Sequence, residues 1–347
     1  MSQSIVPAFA TVAAAAIVLA GCGGGATSVT GAARHASDQA GRALTAGPAR
    51  RPRAREPEPQ SVRLRYRQLY SLPAALRDPA FAVIGGGRFV MLGGLNAADE
   101  SSAGIEVADS RRVLSTGSLP GPQHDAQAAA LGQRVYVFGG GYTTELDHIL
   151  SWDPATGDVA RAGTLAAPQS DVAVARAGET AYVVGGFDGT DYLHTIVAWR
   201  EGAAPRVVAR LPVGLRYAAV AVARGGLLVI GGSTPVGASD AIYRFDLATH
   251  AVSRIGILPH GTTHGDAATL GGTVYLIGGR GDSLDSQTAE IYAIDPVTGK
   301  VRRAGRLPQA ISDAAAVTIG DAILVAGGQS PAGVVASVGE LSPAPAR

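Results

Sequence analysis

The chain has almost no cysteine, little charge and no long helix-period stretch, and each shortage removes a class of function. Its one cysteine is Cys22, so the folded region holds no disulfide and offers no thiol chemistry. Charged residues make up 16% against 46% hydrophobic, which predicts strands buried on both faces. The formal net charge is +1, and without a basic stripe nothing argues for nucleic acid as a partner. There is no Ser-His-Asp nucleophile elbow, no phosphate loop and no zinc-protease helix. No cofactor and no metal is therefore expected.

What is present is a repeat. Gly-Gly doublets stand at Gly93-Gly94, Gly139-Gly140, Gly185-Gly186, Gly231-Gly232, Gly278-Gly279 and Gly327-Gly328, spaced by 46, 46, 46, 47 and 49 residues. Each unit reads as four short strands. The first is apolar, as in Ala126–Leu131, Val172–Ala177 and Ala314–Ile319. The second runs into the doublet, and a polar loop follows. The third is Asp147–Trp152, His194–Trp199, Asp240–Phe245 or Ala289–Ile294. A turn such as Asp153-Pro154-Ala155-Thr156-Gly157 reverses the chain, and the fourth strand ends at Leu-Pro. Glycine suits the doublet because a strand stops there and leaves at an angle close to another backbone. Units of this length cannot cover both faces alone, so they pack radially around a channel.

The doublets, the period and a seven-residue step resemble the kelch-repeat family over about Arg63 to Leu341. Trp152 to Val159, Phe245 to Val252 and Ile294 to Val301 keep the step. Valine replaces the family's tryptophan, and Ala108 holds the first aromatic slot, so blade contacts are expected to be aliphatic. The resemblance implies an all-β, six-bladed β-propeller over 61–342, with 343–347 as a tail. The last unit has a third strand at Val334–Leu341 and no fourth. Residues 63–70 have no unit of their own, so that strand is expected to complete the last blade and close the ring. The copper-radical oxidase chemistry of some kelch proteins is excluded, because it needs a cysteine crosslinked to tyrosine.

Residues 1–21 read as a signal peptide. Ile5 to Ala20 is apolar but short for a membrane span, and Leu19-Ala20-Gly21-Cys22 resembles a bacterial lipobox. The resemblance implies acyl chains (palmitate among them) on Cys22, and so a lipoprotein held to the extracytoplasmic side of a membrane in the bacterial envelope. No Lys or Arg precedes the apolar run, which departs from the pattern. Residues 22–60 then form a tether of Gly, Ala, Ser, Pro and Arg, reaching roughly 30–37 Å as a flexible coil.

Candidate site residues follow from position. Six residues after each Leu-Pro leucine, or its equivalent, stand Asp78, Asp125, Asp171, Tyr217, His264 and Asp313. In a propeller this column projects toward the axis. A repeated Asp also serves loop structure. The residues that break symmetry, His124, Arg216, Tyr217, His264 and Asp266, are the sharper ligand-binding candidates. Asp125, Asp171 and Asp313 join them at the channel mouth. No catalytic residue is assigned. A metal site from His124, Asp125, His264 and Asp266 is disfavoured, because the histidines come from blades that are not neighbours. Arg280-Gly281-Asp282 matches an adhesion tripeptide by the composition of its loop. The expected function is binding of an envelope protein or glycan through one loop face. The alternative is a sugar epimerase resembling the kelch sialate mutarotases, with Arg216 holding a carboxylate. A deep pocket joining Arg216 to an acid of raised pKa would favour the enzyme; a shallow mouth would favour the binding module.

Overall fold

A computed structural model describes residues 62–345. The expected signal segment, Cys22 and the tether to residue 60 lie outside the described residues. Among the described residues every regular element is a strand or bridge, and no helix forms. Six four-stranded antiparallel sheets stand as blades in a ring. Blade 1 runs from Ala80 to Gln123, blade 2 from Gln127 to Thr164, blade 3 from Ala173 to Arg210, blade 4 from Ala219 to Ile257 and blade 5 from Asp266 to Arg306. Blade 6 takes Ala315–Ile319, Ala322–Ala326 and Ser337–Pro343, and its outermost strand is Leu64–Ser71. Arg65 lies opposite Ser342 and Tyr66 opposite Leu341.

The doublets are the joints between blades. A Cβ on the first glycine would sit 2.1–2.5 Å from a carbonyl oxygen of the chain leading into the next blade, in all six cases. The second glycine donates its N–H to that same carbonyl: Gly94 to Gln123, Gly140 to Gln169, Gly186 to Leu215, Gly232 to Thr262, Gly279 to Ile311 and Gly328 to Leu76. The last of these ties blade 6 to blade 1. Both glycines take positive φ, so no other residue meets the steric and conformational demands together.

Several strand limits differ from the sequence pattern. The third strands begin one residue later than expected, at His148, Thr195, Ala241 and Glu290. The residue before each is engaged elsewhere: its carbonyl accepts the N–H of the Leu-Pro leucine or its equivalent, as in Leu165 to Asp147 and Leu211 to His194. In blade 6 the third strand is Ser337–Pro343 rather than Val334–Leu341, and it extends past residue 342. Val334 belongs instead to a small hairpin, Gln329–Ser330 with Gly333–Val334. Blade 1's fourth strand runs through Leu119-Pro120 to Gln123.

Packing between blades is also less aliphatic than the missing tryptophan column implies. Trp199 meets Tyr136 at 4.8 Å and Phe138 at 5.4 Å between ring centroids, and Tyr182 meets Phe245 at 5.6 Å. These aromatics sit on second and third strands, where blades face each other. The second strands are the most buried, and the fourth strands form the exposed circumference.

Candidate functional site

The six column residues occupy one backbone position repeated around the axis. Asp78, Asp125, Asp171, Tyr217, His264 and Asp313 all have φ between 52° and 59°. This left-handed turn lets each peptide face its neighbours in the ring. Asp171 N–H donates to Asp125 O, Tyr217 to Asp171, His264 to Tyr217, Asp313 to His264 and Asp78 to Asp313. Aspartate tolerates this conformation better than most side chains, whereas Tyr217 and His264 bear more strain there.

The residue before each column position makes a second ring. Arg77, His124, Ser170, Arg216, Thr263 and Ser312 bridge to Leu95, Gly141, Phe187, Ser233, Arg280 and Gln329, the residues directly after the doublets. The two loop sets therefore share one face. Inside them the six column side chains, Gln127 and Asp266 line a cavity of about 70 Å³. Below it a shaft of about 650 Å³ descends between Ala- and Val-rich first strands. Gln127 and Asp266 border both spaces and mark the neck between them.

The acids crowd one another around the mouth. Burial, then the charge of Asp125, pushes Asp171 up to about 7. Burial also raises Asp125 to about 6, opposed by hydrogen bonds from Asp171 and Tyr217. Burial, then the charges of Asp313 and Asp125, holds Asp78 well above the carboxylate range. Asp313 is raised by burial as well, against hydrogen bonds from Ser312 and Asp78.

Arg216 leans on this cluster. Its Nη2 lies 2.5 Å from Asp171 Oδ2, yet that oxygen takes no directed hydrogen bond, so the contact is chiefly Coulombic. The guanidinium also packs 4.6 Å from the Phe187 ring centre, 4.9 Å from Tyr217 and 5.5 Å from Tyr192, a cation–π cage. The Tyr217 hydroxyl donates to Asp125 Oδ2 at 3.1 Å and accepts from Arg216 at 3.3 Å. Burial and the carboxylates around it keep that phenol protonated.

His264 stacks on Tyr217 with centroids 3.7 Å apart. Its Nε2 faces Arg280 Nη2 at 3.0 Å. A guanidinium can only donate, so Nε2 is the acceptor and carries no proton. Nδ1–H then donates to Thr263 Oγ1 at 3.0 Å, and the Thr263 and Ser233 hydroxyls share a hydrogen bond at 2.7 Å. Burial, then the charge of Arg280, lowers the imidazole pKa far below its ordinary value. The 3.8 Å approach of His264 to Asp313 is therefore not an ion pair. His124 is half-buried, lowered by burial, and engaged by Ser101 Oγ at 2.8 Å.

Asp266 sits apart from the rim. Its carboxylate accepts the N–H of Ala267 at 2.7 Å and of Ala316 at 2.6 Å, tying blade 5 to blade 6. Burial pushes it up to about 6. Of the eight sequence candidates, the six on column positions or in the neck line the mouth cavity with Tyr217 and His264 stacked, while His124 and Arg216 flank it. Among the described residues no group of three or more His, Cys, Asp or Glu is disposed to hold a metal ion. Sequence reasoning did not place Arg77, Arg280, Phe187 or Gln127 at the site. The signal for the middle two was their place directly after a doublet, and for Gln127 its place two residues beyond the column, which it shares with Asp266. The Arg280-Gly281-Asp282 loop is folded inward: Arg280 reaches His264, and Asp282 Oδ1 accepts the Ala238 N–H at 2.5 Å.

Fold and mouth together define the class, a six-bladed β-propeller with an acid-lined channel mouth. No family model matches the chain, and no curated protein is significantly similar to it. Among solved structures it is similar to that of YjhT, with a TM-score of 0.69 at 17% identity, covering 79% of this chain and 97% of that one. At that identity the likeness is one of fold.

Proposed function

We propose that the protein is a lipid-anchored, kelch-like propeller of the bacterial envelope that binds a glycan or protein laid across its mouth face. The size of the mouth carries this reading. A cavity of about 70 Å³ is well below the roughly 300–1,000 Å³ of pockets that enclose small molecules. It admits a few waters or one projecting group, so most of a ligand lies over the loops. The column acids, Tyr217 and His264 are already partnered within the ring. Recognition then falls to the rim, where Tyr142 is 55% exposed on the loop beside Phe187 and Tyr192. Attachment follows from the lipobox-like Leu19-Ala20-Gly21-Cys22.

The test is a glycan array with the full chain, alongside capture of envelope proteins, using Tyr142→Ala and Phe187→Ala as controls. A bound glycan or protein that both variants release supports the reading. Binding indifferent to both variants would sink it. Cys22→Ser is expected to weaken membrane attachment to whatever the folded chain itself contributes.

One observation favours an enzyme as the second reading: Asp171, with a pKa near neutrality, adjoins Arg216. Such an acid could exchange a proton with a sugar hydroxyl presented at the mouth. Proton exchange between sugar anomers or epimers, followed by NMR and abolished by Asp171→Asn, would establish it.

A further inference from the structure

The circumference is uneven in charge. Blade 1's outer strand carries no arginine. Blades 2 and 4 carry one each, Arg161 and Arg254, paired with Asp147 at 2.7 Å and Asp240 at 3.0 Å, and blade 3 carries two, Arg206 and Arg210, with no carboxylate at ion-pair distance among the described residues. Blade 5's outer strand carries Arg302, Arg303 and Arg306. The adjoining strand of blade 6 carries Arg65 and Arg67, with Arg63 just ahead of it. All six are exposed. Arg303 and Arg306 share Glu290, and Arg67 pairs with Glu340. Among the described residues Arg63, Arg65 and Arg302 have no carboxylate at ion-pair distance. Six guanidinium groups thus face two carboxylates, in a chain whose whole formal charge is +1.

The two strands are held together firmly. A Cβ on Gly305 would lie 2.6 Å from Leu64 O. The Tyr275 hydroxyl accepts the Val62 N–H at 3.2 Å and donates to the Val62 carbonyl at 3.1 Å. Arg63, Arg303 and Arg306 line one recess of about 710 Å³ at this seam. The seam is also where the described chain begins. Arg50, Arg51, Arg53 and Arg55 precede it in sequence, and Cys22 lies further upstream.

We propose that the arginine seam of blades 5 and 6 docks on an anionic lipid surface. The proposal rests on the anchoring reading, since it is the anchor that brings this edge to a bilayer. Two facts select lipid as the occupant: six arginines outnumber two carboxylates along the two outer strands, and the seam adjoins the chain leading from the lipobox-like segment. Each arginine within a Debye length of anionic head groups, ~8 Å at physiological salt, adds about fivefold to partitioning. Docked by its rim, the propeller stands edge-on and keeps its mouth face clear for a partner.

The experiment uses the full chain carrying Cys22→Ser, so no acyl group contributes. It is sedimented with vesicles of phosphatidylcholine alone or mixed with phosphatidylglycerol. Preference for the mixed vesicles is expected, weakening as salt rises. Arg63→Glu, Arg65→Glu and Arg302→Glu together should cut that preference at least tenfold at an unchanged melting temperature. If the triple variant is misfolded, the three Arg→Gln changes replace it, with the same direction expected. A preference untouched by these changes, or removed only by Arg50→Gln, Arg51→Gln, Arg53→Gln and Arg55→Gln in the tether, overturns the proposal. Acylation of Cys22 is read separately, from the mass of the mature native terminus, so a failed anchor and a failed seam give different results.

Discussion

At the residue scale, the mouth acids store free energy that depends on pH. Asp125, Asp171 and Asp266 have pKa values of about 6, 7 and 6 in the fold, against 3.8 for the ordinary side chain. The folded state therefore binds more protons than the unfolded chain between those values. Their stabilising contribution is full below pH ~4 and is lost as pH rises through ~6–7, at up to about 1.4 kcal/mol per pH unit for each group. Asp246, lowered chiefly by its Arg244 hydrogen bond, and Asp295, lowered by backbone hydrogen bonds against burial, act oppositely at acid pH. The melting temperature should rise on going from pH 8 to pH 5 and fall again below about pH 4. Asp171→Asn should flatten the upper limb. A melting temperature flat between pH 8 and 5 would contradict the raised carboxyls at the mouth. His264 opposes these acids, because its imidazole stays neutral in the fold but gains a proton in the unfolded chain, so its contribution falls as pH drops below about 6.5 and reduces the rise.

The doublets decide matters at the element scale. Gly185 has φ of 62° and no room for a Cβ, with Leu215 O at 2.2 Å. Gly132 has φ of 57° and nothing within 4 Å. Gly132→Ala should cost about 1–2 kcal/mol, the left-handed penalty alone. Gly185→Ala adds a backbone clash at a blade joint and should cost more than about 3 kcal/mol, or prevent folding. Denaturant titration of both variants separates strain from clash, and equal losses would argue against the joint. Asp266 offers a further check. Replacing it by Ala leaves the buried Ala316 N–H without its acceptor, an expected loss of about 1–3 kcal/mol.

For the whole molecule, the stability of the ring is joined to its most distant contact in sequence. Leu64–Ser71 covers the edge of Ser337–Pro343, and Gly328 reaches back to Leu76. Removing residues 62–71 would uncover that edge and strip Leu64 and Tyr66 from the packing against blade 5. The expectation is loss of a single cooperative melt and aggregation through the bare strand. A truncated chain that melts like the intact one would mean that the ring does not depend on this strand.

Much of the fold was legible in sequence because its steric demands are local. A doublet that admits only glycine, a turn that favours Asp-Pro and a buried Leu-Pro leucine recur wherever a blade recurs. The column of Asp78, Asp125, Asp171, Tyr217, His264 and Asp313 was legible for the same reason, being one backbone position copied around an axis. What these side chains do to one another was not legible. The charge of Asp125 acting on Asp171, the neutral His264 beneath Arg280 and the cage around Arg216 join residues from different blades or loops. Asp266 looked like a mouth ligand yet holds Ala316. The arginines of blades 5 and 6 are distant in sequence and merge only at the seam. The sequence by itself determined the ring and the places around it. Only the tertiary structure decided which charges meet, because electrostatic coupling depends on separations and burial that the chain acquires on closing.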